Sequence, residues 1–335
     1  MAQIAGTTDT YDVGAAGGNF EDLADVIHDL FPDENFLQAN LAAETCSAVN
    51  PEWMAQELAA PGTNAVLEGD DAPFSDAPQP SRYGNYTQIL RKTFLISGTQ
   101  EAVDSAGRRS EIARQATKQM REIMNDFEWA LVRNQAAVAG ASGTPRQMAS
   151  IETWIGGTPS ATAAGNVVRT TGSTGGTFTE VTSGFPTTAI TDAGSPSAFT
   201  QAAAELALEG AWDEGGNTDT ILCSASVKNV VNGFTGIAQR QVDVGRTEQA
   251  SITAAADLFV SNYGTHRVVL HRHARNNVCL FLDTSMWSIK TLRDWSLEEL
   301  AKTGDGEKRM ITAEKTLCAH NWRANSKVVG IDPAA

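Results

Sequence analysis

The stretch from Arg82 to Arg146 constrains this chain more than any other. Strand-like sequence from Tyr86 to Gly98 runs through a short turn into one long amphipathic helix. Ile112, Ala116, Met120, Ile123, Phe127, Ala130 and Leu131 recur every three or four residues, while Arg114, Lys118, Arg121, Glu122, Asp126 and Arg133 occupy the other side. Ser110 stands where it can cap the N-terminus, Glu111 where the helix dipole favours an anion, and Gly140 where a left-handed residue closes the other end. These caps predict a run of about eight turns, on the order of 40 Å at 1.5 Å per residue. That exceeds the roughly three or four turns of an ordinary globular helix. Nothing in the segment resembles an active site, and by pattern alone the helix suits the core of an α+β domain.

The sequence before the helix predicts an arm. Residues 59–85 are rich in Pro, Gly and acids, with strand-like sequence on both sides, and in YTQILRKTFLISG the side chains of Tyr86, Leu90, Phe94 and Ile96 share one face. The simplest arrangement is a long, loose-tipped hairpin. At about 3.3 Å per residue, roughly fifteen to twenty residues each way reach on the order of 50 to 65 Å. A lone two-stranded ribbon is marginal in water, so this one must lie on a surface, its own or a neighbour's.

Composition sets outer bounds. A chain of 335 residues can hold two domains, or one with insertions. No apolar run approaches the roughly eighteen residues of a membrane span. The start, MAQIAGTTDTYDVG, lacks the basic residues and apolar run of a secretory signal. Cys46, Cys223, Cys279 and Cys318 lie far apart without a CxxC pair, and read as isolated small core residues. A formal charge of -15 argues against sequence-independent DNA binding, which needs clustered Lys and Arg.

Along the chain, residues 1–18 are polar and Gly-rich, and Asn19 is placed to cap a short helix with Phe20, Leu23, Val26, Ile27 and Leu30 on its face, stopped by Pro32. Scattered anchors (Phe36, Leu37, Leu41, Val49, Trp53, Leu58) then suggest an arm docking onto something else. After the long helix, the tract from Ile155 to Pro196 is dominated by Gly, Thr, Ser and Ala, and predicts loops and short exposed strands. A compact α/β unit follows: a helix from about Ser197 to Asp213, a strand Thr220 to Ser224, and a second helix from Ala225. Strand signals return at Arg267–His271, Val278–Leu282, Met286–Leu292 and Arg309–Ala319, with a charged segment between the last two.

Catalytic constellations do not emerge: GxGxxG after a strand, GxxxxGK[ST], HExxH and GxSxG are all missing. The best metal candidate is His271 with His273 and nearby His266, but Arg272 and Arg275 flank them and a surface strand end is the better reading. Glu68, Asp70 and Asp71 lack the spacing of a calcium loop and read as a solvated tip. Asn85-Tyr86-Thr87 fits a glycosylation sequon, which has no meaning without secretion. No catalytic, cofactor or metal residues are therefore expected, and no enzymatic activity.

The segments EDLADVIHDLFPDENF, PEWMAQEL, YTQILRKTFLISGTQEAV, FEWALVRN, TILCSASVKNVVNGF and LAKTGDGEKRMITAEKTLCAHN, in this order, resemble a tailed-phage major capsid protein of the Hong Kong 97 (HK97) type. In that family SGT links hairpin to helix and ExTL marks a late strand. The resemblance implies an α+β, HK97-like capsid fold: an N-terminal arm (1–45), an extended β-hairpin loop or E-loop (46–98), a peripheral domain with the long spine helix (99–145 and 285–320), and an α/β axial domain (146–284 and 321–335). It implies a shell subunit that assembles through hexamers and pentamers into an icosahedron around DNA, without sequence-specific binding and without a membrane.

Further expectations follow from the resemblance. Portal, scaffolding and decoration proteins would be partners, and the lack of a long charged helical segment before Asn19 suggests a scaffold supplied separately. The subunit would reside in the virion after assembly in the host cytoplasm. An encapsulin-type nanocompartment shell is the alternative within the same fold. A tail-fibre subunit and an unrecognised enzyme are the rivals outside it. Expected inter-subunit contacts are Leu67, Phe74 and Tyr83 as exposed apolar groups near the loop tip, Arg82, Arg91 and Lys92 as charges seeking a neighbour's acids, and Glu314 and Lys315 on a strand beside the spine helix. Removing about residues 62–84 should leave a soluble subunit unable to form shells.

Overall fold

The computed structural model describes residues 35–71, 74, 77–104, 107–234 and 258–335, with positions 27 and 30. The helix expected after Asn19 lies outside the described residues, as does most of the N-terminal arm. In chain order the first elements are α1 (Phe36–Asn40), β1 (Ala42–Thr45), β2 (Glu52–Ala55), β3 (Ser81–Gly84), β4 (Gln88–Ile96), α2 (Gly98–Ala102) and α3 (Glu111–Val132). Then come α4 (Ile151–Trp154), β5 (Val167–Arg169), α5 (Gln201–Asp213), β6 (Thr220–Cys223), α6 (Ala225–Asn232), β7 (Leu258–Ser261) and β8 (Gly264–Leu270). β9 (Val278–Leu282), β10 (Trp287–Leu300), β11 (Glu307–Ala319) and β12 (Ser326–Val329) complete the fold.

The long helix starts where the sequence places it. Ser110 Oγ accepts from the Ala113 amide at 3.3 Å, and the Glu101 carboxylate of α2 accepts from the amides of Glu111 and Ile112 at 3.0 and 3.3 Å. Three of the amides that a helix leaves unpaired are thereby satisfied. The Glu111 carboxylate, held by Arg114 and Gln115, sits well below the usual range at about 2. Ile123, Phe127, Ala130 and Leu131 are buried along the predicted stripe. The helix stops earlier than Gly140, after 22 residues or about 33 Å, because Arg133 turns extended. Asn134 then exchanges hydrogen bonds with the backbone of Ile190, and the Ala137 amide donates to Pro186. Gly140 instead serves a tight turn at φ +79°, where a Cβ would meet Arg146.

β4 alternates as expected, with Leu90 and Ile96 buried and Ile89 and Leu95 exposed. Its partner differs from the expectation. β4 pairs antiparallel with β11 in a four-stranded sheet of order β1-β10-β11-β4, and α3 packs against this sheet. The returning strand of the arm is β3, paired with β2 from Glu52↔Gly84 to Ala55↔Ser81. A face carrying Leu90, Phe94 and Ile96 is better packed under a helix than spent on a solvent ribbon.

The second layer is a six-stranded mixed sheet, β5-β12-β9-β6-β8-β7. One face joins α5 and α6 in a core of Phe199, Leu208, Val227, Phe259, Phe281 and others. The other face, through Leu222, Leu280 and Val329, joins a larger core that includes α3 and the base of the arm. The Gly/Thr tract does contribute to that core: Phe178, Val181 and Ile190 are buried, and isolated bridges link Thr174 to Gly194 and Thr177 to Thr191. Gly156 permits its close approach, since a Cβ there would stand 2.3 Å from the Thr179 carbonyl oxygen.

Several sequence readings change in three dimensions. His271 is no surface residue: it is buried, its Nε2 lies 3.1 Å from the Glu128 carboxylate, and its Nδ1 accepts from the His273 amide. Asn85 of the sequon is also buried, bonded to Ala149 and Leu317, so no glycan could be attached. Cys223 and Cys279 are neighbours across β6 and β9 rather than isolated, and Cys223 Sγ donates to the Val269 carbonyl at 3.8 Å. Among the described residues, no group of three or more His, Cys, Asp or Glu could hold a metal ion.

Candidate assembly surfaces

The arm is fixed at its base and unsupported at its end. Trp53 of β2 and Tyr83 of β3 enter an aromatic cluster with Trp154 and Trp322: Trp53 to Trp154 is 5.6 Å between centroids, Trp154 to Trp322 5.4 Å, and Tyr83 to Trp322 4.4 Å. Each such contact stabilises by about 0.5–1.5 kcal/mol beyond area burial. Tyr83 Oη donates to the Thr182 carbonyl at 2.9 Å, and the backbone of Arg82 and Gly84 bridges Gly184. Tyr86 stacks on Phe185 at 4.3 Å. Past this root, Arg323 joins Glu57 of the arm to Glu180 of the body. Beyond Glu57, Leu58, Val66, Leu67 and Phe74 are 97, 77, 81 and 98% exposed. Side chains of that size gain roughly 1.5–3 kcal/mol each from burial, which the isolated subunit does not supply.

A second ensemble joins the arm's exit to the four-stranded sheet. The Glu314 carboxylate on β11 is buried and accepts from Thr87 Oγ1 at 2.7 Å, Arg146 Nη2 at 2.6 Å and Arg293 Nε at 3.0 Å. Thr87 leads out of the arm, Arg146 follows the turn after α3, and Arg293 sits at the register shift of β10. Glu128 does similar work at the other end of the layer. One oxygen accepts from the Leu37 amide at 2.6 Å and the other from the Gln38 amide at 3.2 Å, so α3 holds the first turn of α1. Deeper still, Lys327 is fully buried, donating to the Glu152 carbonyl at 2.8 Å beneath the Phe178 ring. Burial pushes its ammonium down to about 7 and pushes the Glu152 carboxyl up, with Arg275 bridging Glu152 and Asp192.

The expected contact residues divide accordingly. Leu67 and Phe74 are exposed on the tip, and Arg91 is exposed on β4. Arg82 is largely exposed while pairing with Glu52 at 3.2 Å. Tyr83, expected exposed, is buried in the root. Lys92 meets Asp126 and Glu122 of its own α3 at 2.8 and 3.9 Å, and Lys315 meets Asp294 at 3.0 Å over the Trp295 ring. Glu314 is the buried joint just described. These inward roles depend on partners far along the chain, so spacing gives no sign of them. The deletion of 62–84 is corrected too, because it would remove β3 and Tyr83 and damage the body itself.

A family model described as SU10 major capsid protein matches residues 3–332. The chain belongs to the SU10 major capsid protein family. A stretch of 85 residues is 35% identical to the major capsid protein of Escherichia phage Phieco32, spanning 25% of this chain and 24% of that protein. Among solved structures, the capsid of cyanophage A-1(L) superposes with a TM-score of 0.64 at 13% identity, covering 96% of this chain and 99% of that one. The capsid of a native GTA particle gives 0.64 at 12% identity, covering 96 and 98%. An encapsulin from Synechococcus elongatus gives 0.54 at 9%, covering 98 and 97%. At such identities the likeness lies in the fold, which is of the HK97 type.

Proposed function

We propose that the protein is the shell-forming subunit of a tailed-phage head, closing through hexamers and pentamers into an icosahedron around the genome. The observation that carries this reading is the arm of an SU10-family chain that is bolted to its own core by four aromatic rings yet exposes a large apolar tip. Head-to-tail repetition of such a contact closes rings. We assign residues 1–45 to the N-terminal arm, the hairpin ending at Gly84 to the extended loop, β4 to α3 with β10 and β11 to the peripheral domain, and the six-stranded sheet with α5 and α6 to the axial domain. Leu67, Phe74, Arg82 and Arg91 are the proposed inter-subunit contacts. Portal, scaffolding and decoration proteins are proposed partners, and the host cytoplasm the place of assembly.

A structural role also fits the polar clusters. Ser288, His320 and Glu44 lie together, yet Ser288 Oγ and Glu44 Oε1 both meet the same His320 nitrogen, Nε2, at 3.1 Å. A relay needs one partner on each ring nitrogen, and Ser288 is buried from any substrate. Electron microscopy of the purified full chain tests the reading: capsomer rings or uniform icosahedral shells are expected, and a small oligomer without either would overturn it.

A further inference from the structure

We propose that Cys223 and Cys279 are a redox-active pair, held as two thiols in the reduced chain and closed by peroxide into a disulfide across β6 and β9. The pairing of these strands runs Thr220↔Leu282, Ile221↔Phe281 and Leu222↔Leu280, so the next residue on each sets Cys223 opposite Cys279. Leu222 and Leu280 face the larger core, while both cysteines are fully buried on the other face, in the core shared with α5 and α6. Side chains directly opposite on antiparallel strands have Cβ atoms about 4.5–5.5 Å apart, and a disulfide needs about 3.5–4.5 Å. A small approach at the end of β6 closes that gap. Cys318, by contrast, stands opposite Ser288 and has no thiol across from it.

The two thiols are not equivalent. Cys223 immediately precedes Ser224, which caps α6 by accepting from the Val227 amide at 3.4 Å, and Lys228 of α6 is buried nearby. A helix start and a cation both favour a thiolate. The adjacent Cys279 thiol and Lys228 hold Cys223 below the usual thiol range, while burial and Cys223 push Cys279 well above it. Cys223 is therefore the attacking sulfur and Cys279 the resolving one. Hydrogen peroxide, little larger than water, reaches such a core through local opening. The Cys223 thiolate takes one oxygen as the O–O bond breaks, and the hydroxide released picks up a proton to leave as water. The Cys279 sulfur then attacks the sulfenic sulfur, the S–O bond breaks, and that hydroxide leaves with the Cys279 proton as a second water. Two thiols are oxidised and one peroxide is reduced. The new bond ties the two central strands of the sheet and closes the long connection carrying α6, β7 and β8, which is how a crosslink stabilises. A reducing compartment keeps the pair open during synthesis, and an oxidising medium closes it after the particle is released. That timing, unlike the pair itself, rests on the shell reading.

The test treats the full chain, as subunits and as shells, with hydrogen peroxide and reads peptide maps and thermal unfolding. The sulfoxide of exposed Met54 reports that oxidant was delivered. The Cys223 and Cys279 peptides should be found joined, with the melting temperature raised by about 5 °C. Dithiothreitol, which leaves sulfoxides alone, should reverse both changes. Cys279→Ala should stop at oxygen addition on Cys223 without the rise, and Cys223→Ala should leave Cys279 unmodified, each compared with its own reduced form. Separate peptides despite oxidised Met54, or bonds to Cys46, to Cys318 or between chains instead, would overturn the pair. A joined pair with an unchanged or lower melting temperature would overturn its stabilising role. Closure in subunits but not in shells would overturn the timing, whereas failure of the chain to form shells would strike the shell reading and leave the pair standing.

Discussion

Glu314 and Lys327 carry opposite lessons about buried charge. Glu314 is compensated on every side, by Arg146, Arg293 and Thr87, so it stabilises the junction it occupies. Glu314→Gln keeps the shape and removes the charge, which should destabilise the subunit by about 2 kcal/mol, since bonds to charged groups contribute roughly 1.5–3 kcal/mol. Urea unfolding of dissociated subunits would measure it. Lys327 is compensated poorly. Its folded value of about 7 lies below the 10.5 of the unfolded chain, so between those limits the unfolded state binds more protons and stability rises with pH. Lys327→Met should abolish that rise between about pH 7 and pH 10, at an overall cost in stability because the buried Glu152 loses its nearest cation. Thermal midpoints of both proteins across that range decide it; an unchanged slope in the variant would reject the role given to Lys327. Glu152 works at lower pH in the opposite sense: with its folded value raised, the native state holds the extra proton and stability falls as pH climbs past the usual carboxylate range.

At the scale of elements, α3 shows what a sequence can and cannot specify. Its start is local: Ser110 caps it, Glu111 follows, and the stripe at three- and four-residue spacing faces the core. Its end is not local, because Val132 is the last helical residue only where Asn134 can reach Ile190, 56 residues away. The same distinction explains β4. Alternation announced which face is buried, but its partner β11 lies more than 200 residues downstream, and no spacing rule connects them. β9, by contrast, is read to the residue at Val278–Leu282, being an apolar run between turn signals. Tyr83 and Glu314 were legible as residue types and illegible as roles, since Trp322, Arg146 and Arg293 converge on them only after folding. The helix itself can be tested by its two kinds of anchor. Ser110→Ala should cost about 1 kcal/mol, with Glu101 retaining the next amides, and hydrogen exchange should increase only in the first turn. Phe127→Ala, at a fully buried site between α3 and Trp295, should cost about 3–5 kcal/mol and raise exchange across α3 and the four-stranded sheet. Equal effects from both would contradict the division into a frayable start and a core-locked centre.

For the whole molecule the decisive property is the separation of foldability from assembly. The body closes its own core: the arm's base is packed into it through Trp53 and Tyr83, and Arg323 tethers the arm no farther out than Glu57. Among the described residues between Glu57 and β3, no apolar side chain is buried, so the subunit gains little from that segment. Replacing residues 60–77 by a Gly-Gly turn spares β2, β3, Glu57 and the hydrogen bond from Gln56 to the Pro78 carbonyl. Such a protein should fold with a melting temperature within about 2 °C of the full chain, because surface segments without buried contacts change stability by roughly 0.5 kcal/mol or less. It should nevertheless sediment as subunits or small oligomers and give no closed particles in micrographs, since the segment proposed to link one copy to the next has been removed. A large fall in melting temperature would mean that the tip belongs to the fold. Normal shells would mean that the arm is dispensable for assembly, and with it the role assigned to the segment between β2 and β3.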